Sequence, residues 1–69
     1  MTDTESLKEV IQKSGLKLKY LAKQLKLSEF GFSNKVNNIT EFKASEIDSL
    51  CELLQIKDLY EKERIFFAK

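Results

Sequence analysis

Residues 15–38 read GLKLKYLAKQLKLSEFGFSNKVNN, and two helices with a very short joint between them are legible in this stretch alone. Leu18, Leu21, Ala22 and Leu25 fill an i, i+3, i+4, i+7 template, with Lys17, Lys19, Lys23 and Lys26 on the other faces, so the spacing predicts an amphipathic helix 2. Ser28 follows Leu27 and precedes Glu29; its hydroxyl suits an N-cap, and the acid suits the positive end of a helix dipole. Helix 3 is therefore expected over residues 28–37. Phe32 and Val36 form its inward pair, Glu29, Phe30, Ser33, Asn34 and Lys35 lie on its other sides, and Asn37-Asn38 can make the turn that ends it. With only Lys26-Leu27-Ser28 as a connection, the two helices must cross steeply, which turns one face of helix 3 outward.

Upstream, Leu7, Val10 and Ile11 recur at helical spacing, and Ser6 with Glu9 three residues on has the form of a capping box. This predicts helix 1 over residues 4–14, closed by a left-handed Gly15 with Leu16 folding back as its apolar contact. Downstream of a loop at 38–43, Ile47, Leu50, Cys51 and Leu54 again fill the full template and predict helix 4 over residues 44–55, the most apolar of the set. A weak helix over 58–64 follows, and then Ile65-Phe66-Phe67, too apolar to be left in water. No repeat, low-complexity stretch or linker interrupts the chain, so residues 1–69 are expected to form one domain.

The composition agrees with that outline. A chain of 69 residues has no room for a second core, and with no proline, two glycines, 42% hydrophobic and 33% charged residues it reads as an all-α globule. There is no histidine and one cysteine, which excludes intrachain disulfides, His-ligated zinc, imidazole acid–base catalysis and Cys–His nucleophilic pairs. Carboxylates such as Glu46 and Asp48 fall in the first turn of helix 4, where acids complement the dipole, and have no convergent partners; no enzyme, metal or cofactor is expected. Cys51, flanked by Leu50 and Leu53-Leu54, reads as a core residue of a reducing compartment. The longest apolar run is Ile65 to Ala68, far short of the roughly 20 residues that span a bilayer, and the first nine residues carry acids, so a cytoplasmic protein without membrane contact is expected.

Net charge is +1, but it is unevenly spread. Residues 1–35 hold seven lysines against four acids, a net +3; residues 36–69 hold five bases against seven acids, a net −2. Between Lys13 and Lys35 six lysines face one acid, a basic segment of the kind that tracks phosphates, or that merely solubilises helix surfaces.

A short joint, the small Ala22 where two helices approach, apolar pins at Leu21, Leu25, Leu27 and Phe32, and a polar outer face on the second helix meet the local needs of a helix-turn-helix in all but a turn residue suited to a tight conformation. The stretch 15–38, followed by EFKASEIDSLCELLQI at 41–56 and RIFFAK at 64–69, resembles the small phage repressor and Cro-like helix-turn-helix family, also called the XRE type, over nearly the whole chain. The resemblance implies a compact λ-repressor-like bundle of about five helices whose third helix enters the DNA major groove, usually as a two-fold dimer on a palindromic operator.

Carried onto this sequence, the base-contacting positions fall on Glu29, Phe30, Ser33 and Asn34. Asn34 can bond an adenine edge with two hydrogen bonds, Ser33 can bond most bases, Phe30 can press on a thymine methyl, and Glu29 can accept from cytosine. Lys17, Lys19, Lys23 and Lys35, with Asn37, would contact phosphates. Lys26 and Asn38 stand where the family usually has Gly, and Leu18 where many relatives have a phosphate-anchoring Gln. The function expected is a phage or prophage transcriptional regulator that occupies operator DNA as a homodimer or cooperatively. The alternative keeps the fold and changes the partner: an antirepressor that binds and masks a cognate phage repressor, with the apolar Phe30 as anchor. Ile65, Phe66 and Phe67 are interface candidates in either case, or else they cap the domain's own core.

Overall fold

The computed structural model describes residues 1–68. Among them there are five helices and no strand: α1 (Thr4–Ser14), α2 (Leu18–Gln24), α3 (Glu29–Val36), α4 (Ala44–Leu54) and α5 (Leu59–Phe66). α1 is the hub, packed on α3, α4 and α5, while α2 packs on α3. Each helix contributes one large side chain that is almost wholly removed from water: Leu7, Leu21, Phe32, Leu50 and Ile65. Burial of that kind stabilises by about 1.5–3 kcal/mol per side chain, which is what holds five short helices that would not persist alone.

The helix ends follow local chemistry. α1 is capped by Asp3, whose carboxylate accepts from the Ser6 backbone N–H at 3.1 Å and from the Ser6 hydroxyl at 2.8 Å, and not by the expected Ser6–Glu9 box. Ser6 lies inside the first turn, where its N–H is one of the unpaired donors an N-cap serves. Gly15 closes α1 at φ 75°, as its position predicts. Ser28 caps α3, accepting from the Gly31 N–H at 2.9 Å. Three further turns are left-handed without glycine, at Lys26 (φ 60°), Asn38 (φ 64°) and Gln55 (φ 59°). In each, the following residue donates to a carbonyl five residues back: Leu27 to Ala22, Ile39 to Asn34 and Ile56 to Cys51. That bond ends a helix and folds an apolar residue back; Ile56 is buried by it, but Ile39 stays 71% exposed.

The fifth helix is longer than the sequence suggests. It runs to Phe66, and Ile65 and Phe66 are core residues at 0% and 3% exposure. They close this chain's own interior, so of the three apolar interface candidates only Phe67 is left on the surface. Phe42, from the loop before α4, stands edge-on between Phe32 and Phe66, with ring centroids 6.1 and 5.7 Å away. Edge-to-face pairs of this sort add about 0.5–1.5 kcal/mol each beyond area burial, and here they tie α3 to α5. Cys51 is buried and free, as its flanks suggest. No described helix is long and apolar enough to cross a membrane.

The segment before α1 is strapped across the ends of α3 and α5. The Asn38 side-chain oxygen accepts from the Thr2 N–H at 2.8 Å while its amide donates to the Thr2 carbonyl. The Thr4 hydroxyl donates to the Val36 carbonyl at 2.6 Å, and the Asp3 N–H to the Ile65 carbonyl at 2.6 Å. Thr2 is thereby 6% exposed with both backbone groups paired.

Candidate functional site

The candidate residues fall on two surfaces, carried by the packed helices α2 and α3. The first is the row of lysines on α2 and its flanks. Lys17 is the N-cap residue of α2, Lys19 and Lys23 lie one turn apart on its outer side, and Lys26 occupies the left-handed turn after it. All four are exposed. Ion pairs among the described residues are Lys13–Glu9, Lys35–Glu46 and Lys62–Asp48, so none of the four is neutralised by an acid. Lys17, Lys19 and Lys23 border an open hollow with Tyr20, which is 45% exposed. An uncompensated cationic row beside an exposed aromatic ring attracts anions through the field of its charges and offers a flat apolar surface at the same place.

The second surface is the outer side of α3. Phe32 and Val36 face the core, which leaves Glu29, Phe30 and Ser33 exposed and Asn34 half-buried. Phe30 is 76% exposed, an unusual state for so large an apolar side chain. The Asn34 side chain makes no hydrogen bond among the described residues, although its carbonyl accepts from Ile39 and Thr40. Its amide is therefore free to donate and accept at once. Asn37 is less free, because its side-chain N–H group donates to the Ser33 carbonyl at 2.9 Å and approaches the Ser33 hydroxyl at 3.3 Å. Ser33 and Asn37 border a cleft of about 250 Å³ floored by Ile11 and Val36 and reached past Leu18.

Lys35 is placed differently from the other basic candidates. Its Nζ lies 2.6 Å from Glu46 Oε1, and both side chains are only 12% exposed. The same carboxylate oxygen accepts from the Lys43 N–H at 2.8 Å, capping α4. Burial by itself would raise the Glu46 pKa, but the hydrogen bonds from Lys35 and Lys43 outweigh it and hold the carboxyl below its usual range. Lys35 thus faces α4, not the outer side of α3, and a phosphate would have to compete with a partner already in contact. Lys26 belongs with the exposed cations instead; the series 19, 23, 26 at i, i+4 and i+7 was the signal for it. No family model, curated protein or solved structure matches this chain.

Proposed function

We propose that this chain is a DNA-binding transcriptional regulator of the Cro-like, phage or prophage type, acting in the cytoplasm by occupying an operator and not by catalysis. α2 and α3 serve as the helix-turn-helix: α3 enters the major groove, and the α2 row lies along the phosphates. The observation that carries this reading is the unpaired set Lys17, Lys19, Lys23 and Lys26 on and around α2, which packs on an α3 whose outer side keeps the Asn34 side chain without a partner among the described residues. Asn34 and Ser33 supply donors and acceptors for base edges, Phe30 a surface for thymine methyls, and Glu29 an acceptor for cytosine. Four phosphate contacts per protomer give modest affinity, so the protein acts as a homodimer or cooperatively on repeated half-sites.

The test is a salt titration of binding to the promoter region beside the protein's own gene, with random DNA as competitor and Asn34→Ala beside the wild type. The expected slope of log affinity against log salt is about −0.9 per phosphate contact, near −3 to −4 per protomer. Asn34→Ala is expected to lose about 1–3 kcal/mol on the preferred duplex and nothing on random DNA. Weak binding indifferent to both salt and Asn34 would discard the reading.

One observation favours a second reading. With Lys35 paired to Glu46, the outer face of α3 keeps one acid and no free cation, and its largest side chain is the exposed Phe30. Such a face suits a protein surface, with the chain masking a cognate repressor as an antirepressor. In that case Phe30→Ala abolishes capture of the repressor while leaving DNA affinity where it was.

A further inference from the structure

We infer that the Lys35–Glu46 pair is a latch that sets the roll of α3 about its own axis, so that Lys35 governs which bases are read without touching DNA; the inference rests on the DNA-binding reading above. The apolar anchorage of α3 is narrow. Phe32 and Val36 are its buried residues, and at 3.6 residues per turn they lie only about 40° apart around the helix. A single stripe resists withdrawal from the core better than it resists rotation. The other large apolar side chain of α3, Phe30, is 76% exposed and adds no second stripe.

The Thr4 hydroxyl and the Asn38 clamp hold the C-terminal end of α3, and Lys35 adds a side-chain contact off the stripe of Phe32 and Val36 toward α4. Lys35 sits about 60° around the helix from Phe32, on the flank away from Val36. From there its Nζ reaches Glu46 on α4 at 2.6 Å. Glu46 cannot follow a rolling α3, because the same oxygen holds the Lys43 N–H, and α4 is fixed by Ile47, Leu50, Cys51 and Leu54. Withdrawing Lys35 toward a phosphate would strand a carboxylate that is 12% exposed. The latch therefore stays closed when DNA is bound. Contacts to base edges tolerate errors of only about 0.5 Å and 10–20°, so a helix free to roll loses discrimination before it loses affinity.

The test uses Lys35→Met, which keeps the length and removes the charge, and the double variant Lys35→Met with Glu46→Gln. In the double variant no carboxylate is stranded and the amide oxygen still accepts from Lys43, so it reports even where the single variant unfolds. Both are titrated beside the wild type, at several salt concentrations, against a duplex that the wild type enriches from a random pool and against a scrambled duplex. The expected result is unchanged affinity and salt slope on the scrambled duplex, with at least a tenfold loss of preference for the enriched one. The double variant should be no worse than the single, and α3 amides should exchange hydrogen faster in the free variants. A slope smaller by about 0.9 with preference retained would make Lys35 a phosphate contact and overturn the latch. Preference and slope both unchanged would overturn it as well. A wild type that enriches no duplex removes the DNA-binding reading itself, and the latch's role with it, a result distinct from a variant that selects as well as the wild type.

Discussion

Lys26 and Asn38 both hold a left-handed backbone, at φ 60° and 64°, a conformation that costs an L-residue about 1–2 kcal/mol, but their side chains answer that cost differently. Lys26 is exposed and its side chain makes no hydrogen bond or ion pair among the described residues, whereas Asn38 pairs with both backbone groups of the buried Thr2. The same substitution should therefore have opposite signs at the two sites. Lys26→Gly is expected to raise stability by about 0.5–1 kcal/mol once the greater freedom of glycine in the unfolded chain is set against the relieved strain. Asn38→Gly is expected to lower it by about 1–2 kcal/mol, because Thr2 is left buried with unpaired polar groups. Denaturant midpoints of the two variants decide the matter, and a gain in both would show that the Asn38 clamp contributes nothing. A left-handed turn at both positions was implied by the resemblance, since each stands where the Cro-like family usually has glycine. The clamp was not, because Thr2 and Asn38 are 36 positions apart and no local pattern connects them.

Between elements, the Lys35–Glu46 contact makes the acid limb of stability informative. Glu46 is held below its usual 4.5 in the folded state, so its contribution is fully present above that value and is lost as pH falls below it through the folded pKa. Stability is expected to be flat from neutral pH down to about 5 and to decline below, with a shallower decline in Glu46→Gln, as followed by urea unfolding at a series of pH values. Lys35→Met alone should cost about 3 kcal/mol by stranding the carboxylate, and adding Glu46→Gln should recover most of it. The helices themselves were largely legible: α4 fills the whole apolar template and α1 three of its four places, and their bounds depart from expectation by a residue at most. Two ends were not. Asp3 and Ser6 are both good caps, and spacing cannot say which of them precedes the first turn. Ile65-Phe66 looked like a tail because continuous apolar residues show no period, yet they are the last turn of α5. The pairing of Lys35 with Glu46 was not legible, because the partner lies eleven residues on, beyond a loop.

At the scale of the whole molecule the margin is small. A domain of 69 residues is stabilised by about 3–10 kcal/mol in total, and Phe32→Ala, which empties a site 1% exposed and removes one ring of the α3–α5 aromatic contact, should cost about 3–5 kcal/mol. A thermal melt by circular dichroism is expected to find that variant mostly unfolded at 37 °C. Cys51 offers a probe of the same margin. Burial pushes its thiol above the usual 9.0, the nearby Asp48 and Glu61 charges add to this, and Lys62 offsets only part of it. At pH 8 a disulfide reagent should modify it only as the domain opens, at once in denaturant, and more slowly in Lys26→Gly than in the wild type. The strap across α3 and α5 also has a meaning in time. Asn38 leaves the ribosome well before Ile65, so the clamp on Thr2 can close while the chain is still being made, whereas the Asp3 bond to Ile65 must wait until α5 exists. The end of α3 is thus dressed early and the domain is sealed late. A chain halted between those two moments carries α3 but lacks Ile65 and Phe66, the wall that completes the core beneath it.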